Sequence, residues 1–535
     1  MSGIAGAFVL PSSHSQETVY NRLKHMVPKL DNRGQAGFGL AAFMHAKGIR
    51  YIRSCRPPRE LVNIDCDGQD ANFRPHVAIA HIRNPSSQEN GGNVAQPVDN
   101  HKAGCRHLAL SLNGALVNAD ELRKELLARG HSLDGTTDAE LLLKFIEHIC
   151  QRAFWQHALP VDYESVFRDI DDRIDGAVSA LVLDGEGSLI AFRNSSGLRP
   201  LEFMQTEDGS ILFASENSAF AGLQGKTEEI SPGHIKYLDG KTGECIDSFV
   251  GHARHSPKLC VYETLYIGNL ETSIRGQSHL ATRHNIGVTL GGTISPKVAA
   301  EMGSAPIVVS SMPHTGGPYA DGLFASLAEK HGAFVQRREV IATQLQQRTL
   351  IGIVGTRNSV IAQKYCVDAE SDVRDRVIMM VDEALIRGDT SRAVTEMLHA
   401  AGAKAVHWAI GSPPIVAPNY YGMGIETIDE LAFWKVWKTL PPKKRIESLS
   451  FHKIEPQTLR VIESKIALSI NAASITFLPF HALIPLLPGG SDGIDLSPFT
   501  FDMPTPAGEK RAKDNLNRSI TNLAFTELCL PEVTS

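Results

Sequence analysis

Residues 377–398 constrain the fold more than any other stretch of the chain. Five apolar residues, Val377-Ile378-Met379-Met380-Val381, run into two acids, Asp382-Glu383, and then into Ala384-Leu385-Ile386-Arg387-Gly388-Asp389-Thr390-Ser391, after which Val394, Met397 and Leu398 recur at helical spacing. A short uninterrupted apolar run predicts a strand covered on both faces, and the polar, glycine-bearing turn predicts direct entry into an amphipathic helix. Apolar runs recur at Ile307-Val308-Val309 and Ala405-Val406-His407-Trp408-Ala409-Ile410, separated by helical stretches. The second half of the chain is therefore expected to be a mostly parallel sheet sheathed by helices.

The first half reads differently. Ala177–Leu183 and Leu189–Phe192 are strand-like runs joined by Asp184-Gly185-Glu186-Gly187, a hairpin pattern. Asn118-Ala119-Asp120-Glu121 predicts a helix start near Ala119, and Thr137 precedes Leu141, Leu142, Phe145, Ile146 and Ile149, a stripe that predicts a second helix. At 535 residues the chain exceeds what one core organises, so two domains are expected. Pro232-Gly233 and the polar stretch from Gly251 to Pro257 mark the change of pattern. The expected divisions are residues 2–245, 258–480 and an irregular, Pro- and Gly-rich extension over 481–535.

Composition excludes several functions. A net charge of −6, with 21% charged and 42% hydrophobic residues, offers no basic face to nucleic acid or to an anionic membrane. No long apolar run and no leader-like N-terminus are seen, which predicts a cytoplasmic protein with neither a nucleic-acid nor a membrane partner. Eight scattered cysteines, at 55, 66, 105, 150, 245, 260, 366 and 529, without a C-x-x-C pair predict reduced thiols and no structural metal.

The turn after Glu383 has its own chemistry. Unpaired amides at a helix N-terminus, with the hydroxyls of Thr390 and Ser391, suit a phosphate, and the carboxylates of Asp382 and Glu383 suit sugar hydroxyls. Read alone, it is also any strand-loop-helix crossover with a polar turn. The segment resembles the type I phosphoribosyltransferase signature. Ala281–Gly287, Ser412-Pro413-Pro414-Ile415 and Tyr420-Tyr421-Gly422-Met423-Gly424-Ile425 resemble amidophosphoribosyltransferase segments in order and spacing. The resemblance implies a phosphoribosyl site formed by Asp382, Glu383, Arg387, Gly388, Asp389, Thr390, Ser391, Thr315, Gly316, Arg348 and Lys364, with magnesium at Asp382 and Glu383. Three positions depart from the pattern. Asp389 stands where the family usually has a second threonine, His314 replaces an acid, and the flexible-loop equivalent keeps only Arg348 of a basic cluster. A carboxylate beside a bound phosphate adds like-charge repulsion.

The N-terminus, Ser2-Gly3-Ile4-Ala5-Gly6-Ala7-Phe8, resembles class II glutamine amidotransferases, whose first residue after Met removal is a cysteine with its own α-amine as base. Ser2 occupies that position here, and an alcohol ionises far less readily than a thiol. Arg83, in His81-Ile82-Arg83-Asn84-Pro85, matches the arginine that pairs with the glutamine α-carboxylate. Asn113-Gly114 matches the oxyanion hole, and Asp138 matches the acceptor of the α-ammonium. Asn32-Arg33-Gly34-Gln35, Gln96-Pro97, Arg193, Gly197-Leu198-Arg199-Pro200 and Ala214-Ser215-Glu216 continue the resemblance in chain order. Taken singly, each is an ordinary surface charge or turn glycine; their joint order carries the resemblance. Cys260 matches one of four cysteines that hold an iron–sulfur cluster in some members, but Asn419 stands at the second and the tail has no cysteine pair, so no cluster is expected.

The expected fold is α/β (α+β): an αββα N-terminal-nucleophile hydrolase sandwich followed by a type I phosphoribosyltransferase-like domain, in a homo-oligomer. The resemblance implies glutamine- or ammonia-dependent amination of phosphoribosyl pyrophosphate, a purine-biosynthetic step, with catalytic Ser2, Asn113 and Gly114. Two alternatives remain: a specialised enzyme recruited from the family that uses Ser2 for amide hydrolysis or for transfer to another acceptor, and a non-catalytic regulatory or binding paralog.

Overall fold

The structure, a computed structural model, describes residues 2–9, 18–35, 37–44, 48–54, 75–83, 96–100, 107–133, 137–157, 159–252, 256–294, 306–343, 364–368 and 370–528. The first half holds thirteen described strands: β1 (Ser2–Phe8), β2 (Gly37–Met44), β3 (Gly48–Ser54), β4 (Val77–Arg83), β5 (Val98–Asp99), β6 (Leu108–Leu116), β7 (Gly176–Asp184), β8 (Leu189–Arg193), β9 (Glu202–Thr206), β10 (Ile211–Ala214), β11 (Gly225–Glu229), β12 (His234–Leu238) and β13 (Cys245–Phe249). They form a seven-stranded sheet, order β11-β9-β10-β1-β4-β2-β3, and a six-stranded sheet, order β13-β12-β8-β7-β6-β5.

Three apolar layers explain why the two sheets stack. Ile4 and Phe8 of β1 pack against Leu181, Leu183 and Leu189 of the other sheet. Ala5 and Ala7, on the opposite face of the same strand, pack under α1 (Val19–Met26) through Val19, Leu23 and Met26. That alternation follows from the two-residue period of a strand. On the far side α2 (Ala119–Ala128), α3 (Asp138–Ala153) and α4 (Tyr163–Arg173) cover the six-stranded sheet. The result is the αββα sandwich.

Local signals act as expected, with one exception. Thr137 caps α3 through a reciprocal box with Glu140, the Glu140 N–H donating to Thr137 Oγ1 at 3.3 Å and the Thr137 N–H to Glu140 Oε2 at 3.2 Å. The helix near Ala119 forms, but Asn118 does not cap it. Its side chain accepts from the Asp175 N–H at 2.9 Å and donates to the Arg173 carbonyl at 2.8 Å, tying α2 to the entry of β7 instead.

The second half is built on β14 (Ile307–Ser311), β15 (Val335–Arg337), β16 (Val377–Asp382), β17 (Ala405–Ile410) and β18 (Ser474–Phe477), all parallel in the order β15-β14-β16-β17-β18. The helices include α5 (His279–Gly291), α6 (Gly317–His331), α7 (Asp389–Ala400) and α8 (Pro456–Ser469). Close approach of α5 to α6 requires glycine: a Cβ at Gly287 would lie 2.1 Å from the Tyr319 carbonyl oxygen, and one at Gly322 2.0 Å from that of His284. The region after residue 480 corrects the expectation of an irregular extension. It contains a strand, Ile494–Asp495, and the 23-residue helix α9 (Pro506–Leu528). Residues 509–528 contain neither proline nor glycine, and Glu509 pairs with Lys513 one turn on at 2.5 Å. No helix among the described residues is long and apolar enough to cross a membrane.

A buried charge network joins the two halves. Arg33 pairs with Glu216 through Nε and with Glu263 through Nη2 at 2.5 Å, and Arg199 Nη1 pairs with the other oxygen of Glu263 at 2.6 Å. All four side chains are at most 2% exposed. Burial opposes each carboxylate's charge, but the arginines outweigh it and hold Glu216 and Glu263 below the ordinary range. Removing one partner of such a pair leaves an uncompensated buried charge, which costs about 3–5 kcal/mol. The variant Glu263→Ala is accordingly expected to lose about that much stability relative to wild type, read as a lower urea midpoint by tryptophan fluorescence; an unchanged midpoint would show that the network holds nothing together.

Candidate active site

Two clefts hold the residues expected at the sites. The first has a volume of about 530 Å³ and is lined by Ser2, Arg83, Asn113, Gly114, Thr137 and Asp138. Antiparallel pairing of β1 with β4 sets Ser2, the first residue of β1, directly opposite Arg83, the last of β4. Asn113 and Gly114 lie in β6. The Asn113 amide nitrogen is buried without a hydrogen-bond partner among the described residues, an uncommon and costly state for a donor unless something arrives to accept from it. Gly114 has φ +143°, and a Cβ there would stand 1.8 Å from the Ala177 carbonyl oxygen, so no other residue fits. Asp138 opens α3, and its Oδ2 accepts from the Leu116 N–H at 3.0 Å, so the carboxylate is anchored at the cleft wall. Gln96, which also lines the cleft, accepts from the Leu112 N–H at 2.7 Å beside its cis bond to Pro97.

The second half of the chain contributes to this first cleft. Asn419, Tyr420, Gly422, Gly424 and Glu426 line it, as does Arg511 of α9. The Arg199 Nη2 donates to the Tyr421 carbonyl at 2.6 Å. Gly422 at φ +104° lies against Gly114, whose carbonyl carbon would be 3.7 Å from an added Cβ. The motif 420–425, read from the sequence as part of the phosphoribosyl half, thus also closes the first cleft.

The second cleft, about 420 Å³, is lined by Met312, Pro313, His314, Thr315, Lys364, Tyr365, Tyr266 and the run Asp382–Ser391. Every residue of the expected phosphoribosyl site is here save two. Gly316 sits behind Thr315 as the residue preceding α6, where a Cβ would lie 2.8 Å from the Met312 oxygen and 2.9 Å from that of Val381. Arg348 lies outside the described residues. Gly388, at φ +86°, takes the left-handed conformation that turns the chain from the loop into α7. Glu383 accepts from Thr315 Oγ1 at 2.7 Å, bridging β16 to the turn before α6. Burial, and then the adjacent Glu383, push the Asp382 carboxyl well above the ordinary range. Arg387 is bound to Glu430 at 2.5 and 2.7 Å and donates to the Gly424 carbonyl at 3.2 Å. Tyr266 was not foreseen; burial followed by Glu383 and Asp382 raises its hydroxyl to about 12. No local pattern distinguishes it in the sequence.

Among the described residues no group of three or more metal-binding side chains exists. Asp382 and Glu383 still fit magnesium in its usual mode with phosphorylated ligands, in which one or two carboxylates join substrate oxygens and water. Cys260 is a buried free thiol raised to about 12 by burial, paired in a short parallel strand with Asp495.

A glutamine amidotransferase domain family matches residues 86–222. The amidophosphoribosyltransferase of Pyrococcus horikoshii is 28% identical over 84% of this chain and 90% of its own length, and that of Methanocaldococcus jannaschii 27% over 81% and 88%. The chain is thus similar to amidophosphoribosyltransferases along most of its length. The Arabidopsis thaliana amidophosphoribosyltransferase 1, a chloroplastic relative, is 27% identical over 90% of this chain and 76% of its own. Two solved structures share the fold. Glutamine phosphoribosylpyrophosphate amidotransferase from B. subtilis, complexed with ADP and GMP, superposes with a TM-score of 0.72 at 22% identity over 94% of this chain and 98% of its own. A structure described as the allosteric regulatory enzyme of purine biosynthesis reaches 0.74 at 21% identity over 95% and 99%. The amidophosphoribosyltransferase architecture, an αββα sandwich followed by a phosphoribosyltransferase-like domain, is therefore that of this chain.

His81, two residues before Arg83 on β4, has no direct counterpart among the expected site residues. Burial, and then the Arg83 charge, lower its imidazole to about 3, so it is neutral throughout the physiological range. The unfolded chain binds the proton that the folded one refuses. His81 therefore contributes stability that is full above pH 6.5 and is lost as pH falls from 6.5 toward 3. Wild type is expected to show a falling urea midpoint between pH 6.5 and 5, and His81→Asn a flatter profile over the same window; equal slopes would remove His81 as the cause.

Proposed function

We propose that the protein is a glutamine-dependent amidotransferase that passes ammonia from the first cleft to C1 of an activated ribosyl anion in the second, phosphoribosyl pyrophosphate or a related compound. The observation that carries the reading is the buried Asn113 amide, unpartnered among the described residues, in the cleft that Ser2, Arg83 and Asp138 share.

The chemistry follows from the residue types. Arg83 binds the glutamine α-carboxylate as a fork, and Asp138 takes the α-ammonium. With Met1 removed, the α-amine of Ser2 accepts the hydroxyl proton as Oγ bonds to the side-chain amide carbon. Asn113 Nδ2 and the Gly114 N–H stabilise the oxyanion, a contribution of about 10²–10³ in rate for one such donor. The amine returns the proton to the departing nitrogen, releasing ammonia and leaving a Ser2 ester that water hydrolyses to glutamate. In the second cleft ammonia forms a bond to C1 as the C1–oxygen bond to the pyrophosphate breaks, giving a ribosylamine. Magnesium held by Asp382 and Glu383 would supply charge neutralisation for that leaving group.

A neutral His81 beside Arg83 supports the reading, because it adds no competing positive charge to the carboxylate anchor. Glutamate release from glutamine is the test. Ser2→Ala is expected to abolish it, Ser2→Cys to raise it, and Asn113→Ala to lower kcat about 10²–10³-fold with little change in KM. Intact mass is expected to show Met1 removed. Retention of Met1, or release undiminished in Ser2→Ala, would overturn the mechanism.

A further inference from the structure

We propose that Asn419, carried by the second half of the chain, is a further substrate-binding residue of the first cleft, its side-chain amide donating to an acceptor oxygen of the bound glutamine. This rests on the glutaminase reading above and adds a residue absent from the site expected from the sequence. There Asn419 counts only as a position where a cluster cysteine is missing.

Three side-chain atoms of the residues lining the first cleft are buried without a hydrogen-bond partner among the described residues: Asn113 Nδ2, Asn419 Nδ2 and Arg199 Nε. All three are nitrogen donors, and no side-chain acceptor of the described lining residues is left in that state. Asn419 is 1% exposed and Asn113 2%. A buried donor left unpaired keeps its full desolvation cost, so these atoms suit a ligand that brings acceptor oxygens. Glutamine brings a carboxamide oxygen and a carboxylate.

Of the two donors that the sequence did not place here, Arg199 is committed to the junction, with Nη1 on Glu263 and Nη2 on the Tyr421 carbonyl, each at 2.6 Å. Asn419 is committed only through its other atoms. Its N–H donates to the Ile425 carbonyl at 2.8 Å, and its Oδ1 accepts from the Tyr421 N–H at 3.0 Å. That second bond needs an acceptor, which fixes the oxygen on the hairpin side of the amide and leaves the nitrogen as the unpartnered atom. The segment also has a fixed seat. A Cβ at Gly422 would lie 3.7 Å from both the carbonyl carbon and the oxygen of Gly114, the residue that follows Asn113 in β6. The hairpin bearing Asn419 is thus docked on the strand bearing Asn113, and the two amides reach one cleft from opposite halves of the chain.

Calorimetric titration of the full-length Ser2→Ala protein with glutamine reads binding without turnover. In that background Asn419→Ala and Asn419→Asp both remove the donor, while only Asn419→Asp keeps an oxygen for the Tyr421 N–H. Each is expected to weaken glutamine binding about 10-fold or more, the loss of one hydrogen bond from a buried donor, and to keep the urea midpoint of the parent. Weakening in Asn419→Ala alone would show that the residue only holds the hairpin, and weakening in Asn419→Asp alone that only the added charge matters. Either result overturns the proposal, as does unchanged binding in both or a fall in midpoint that tracks the loss of binding; all of these leave the proposed function standing. A Ser2→Ala protein that binds no glutamine while Asn419 is intact would overturn the glutaminase reading and this proposal together.

Discussion

Arg33, Arg199, Glu216 and Glu263 form the pairing on which the rest of the molecule depends. Arg33, Arg199 and Glu216 come from the sandwich and Glu263 from the start of the second half, and their contacts span 64 to 230 residues of sequence. Each would be costly to bury alone, and together they satisfy one another. Glu216 also accepts from the Asn269 N–H at 2.7 Å, Thr272 Oγ1 at 2.6 Å and Asn32 Nδ2 at 2.7 Å, so the segment entering the phosphoribosyltransferase-like half is bonded to the sandwich at several points. Apolar packing continues across the junction, where Ala177 and Leu198 belong to the same core as the parallel sheet.

That fixed junction lets one hairpin serve two clefts. Asn419 and Ile425 pair as an isolated bridge, and the loop between them reaches the first cleft through Gly422 and Gly424. The Gly424 carbonyl, at the same time, accepts from Arg387 of the second. Helix α9 packs on the hairpin from outside: Arg511 lies over the Tyr420 ring at 4.6 Å, and Asn515 donates to the Glu426 carbonyl at 2.9 Å. Chemistry in each cleft is thereby set by backbone and side chains from distant parts of the chain, and a small hairpin is the shared wall.

Much of this was legible in order of residues. The apolar run 377–381 became β16, the turn through Gly388 became the entry to α7, and Thr137 with Glu140 became a closed capping box. These outcomes depend on interactions within one or two turns of chain. The long helix α9 was missed because proline and glycine before it dominated the local composition. The local setting of Asn118 favours a helix cap, but Arg173 and Asp175 lie across the fold and bond its side chain instead.

The sequence by itself determined most of the secondary elements, the parallel sheet implied by their alternation, and the motifs that line the two clefts, since each motif is a local arrangement of residue types. Only the tertiary structure decided which charges are matched. It set Glu263 between Arg33 and Arg199, tied Arg387 to Glu430, brought Lys435 to Asp389, lowered the His81 imidazole and placed the 420–425 segment against Gly114. The reason is physical: periodicity and capping act between neighbours in the chain, whereas desolvation and ion pairing depend on what the fold brings within a few ångströms.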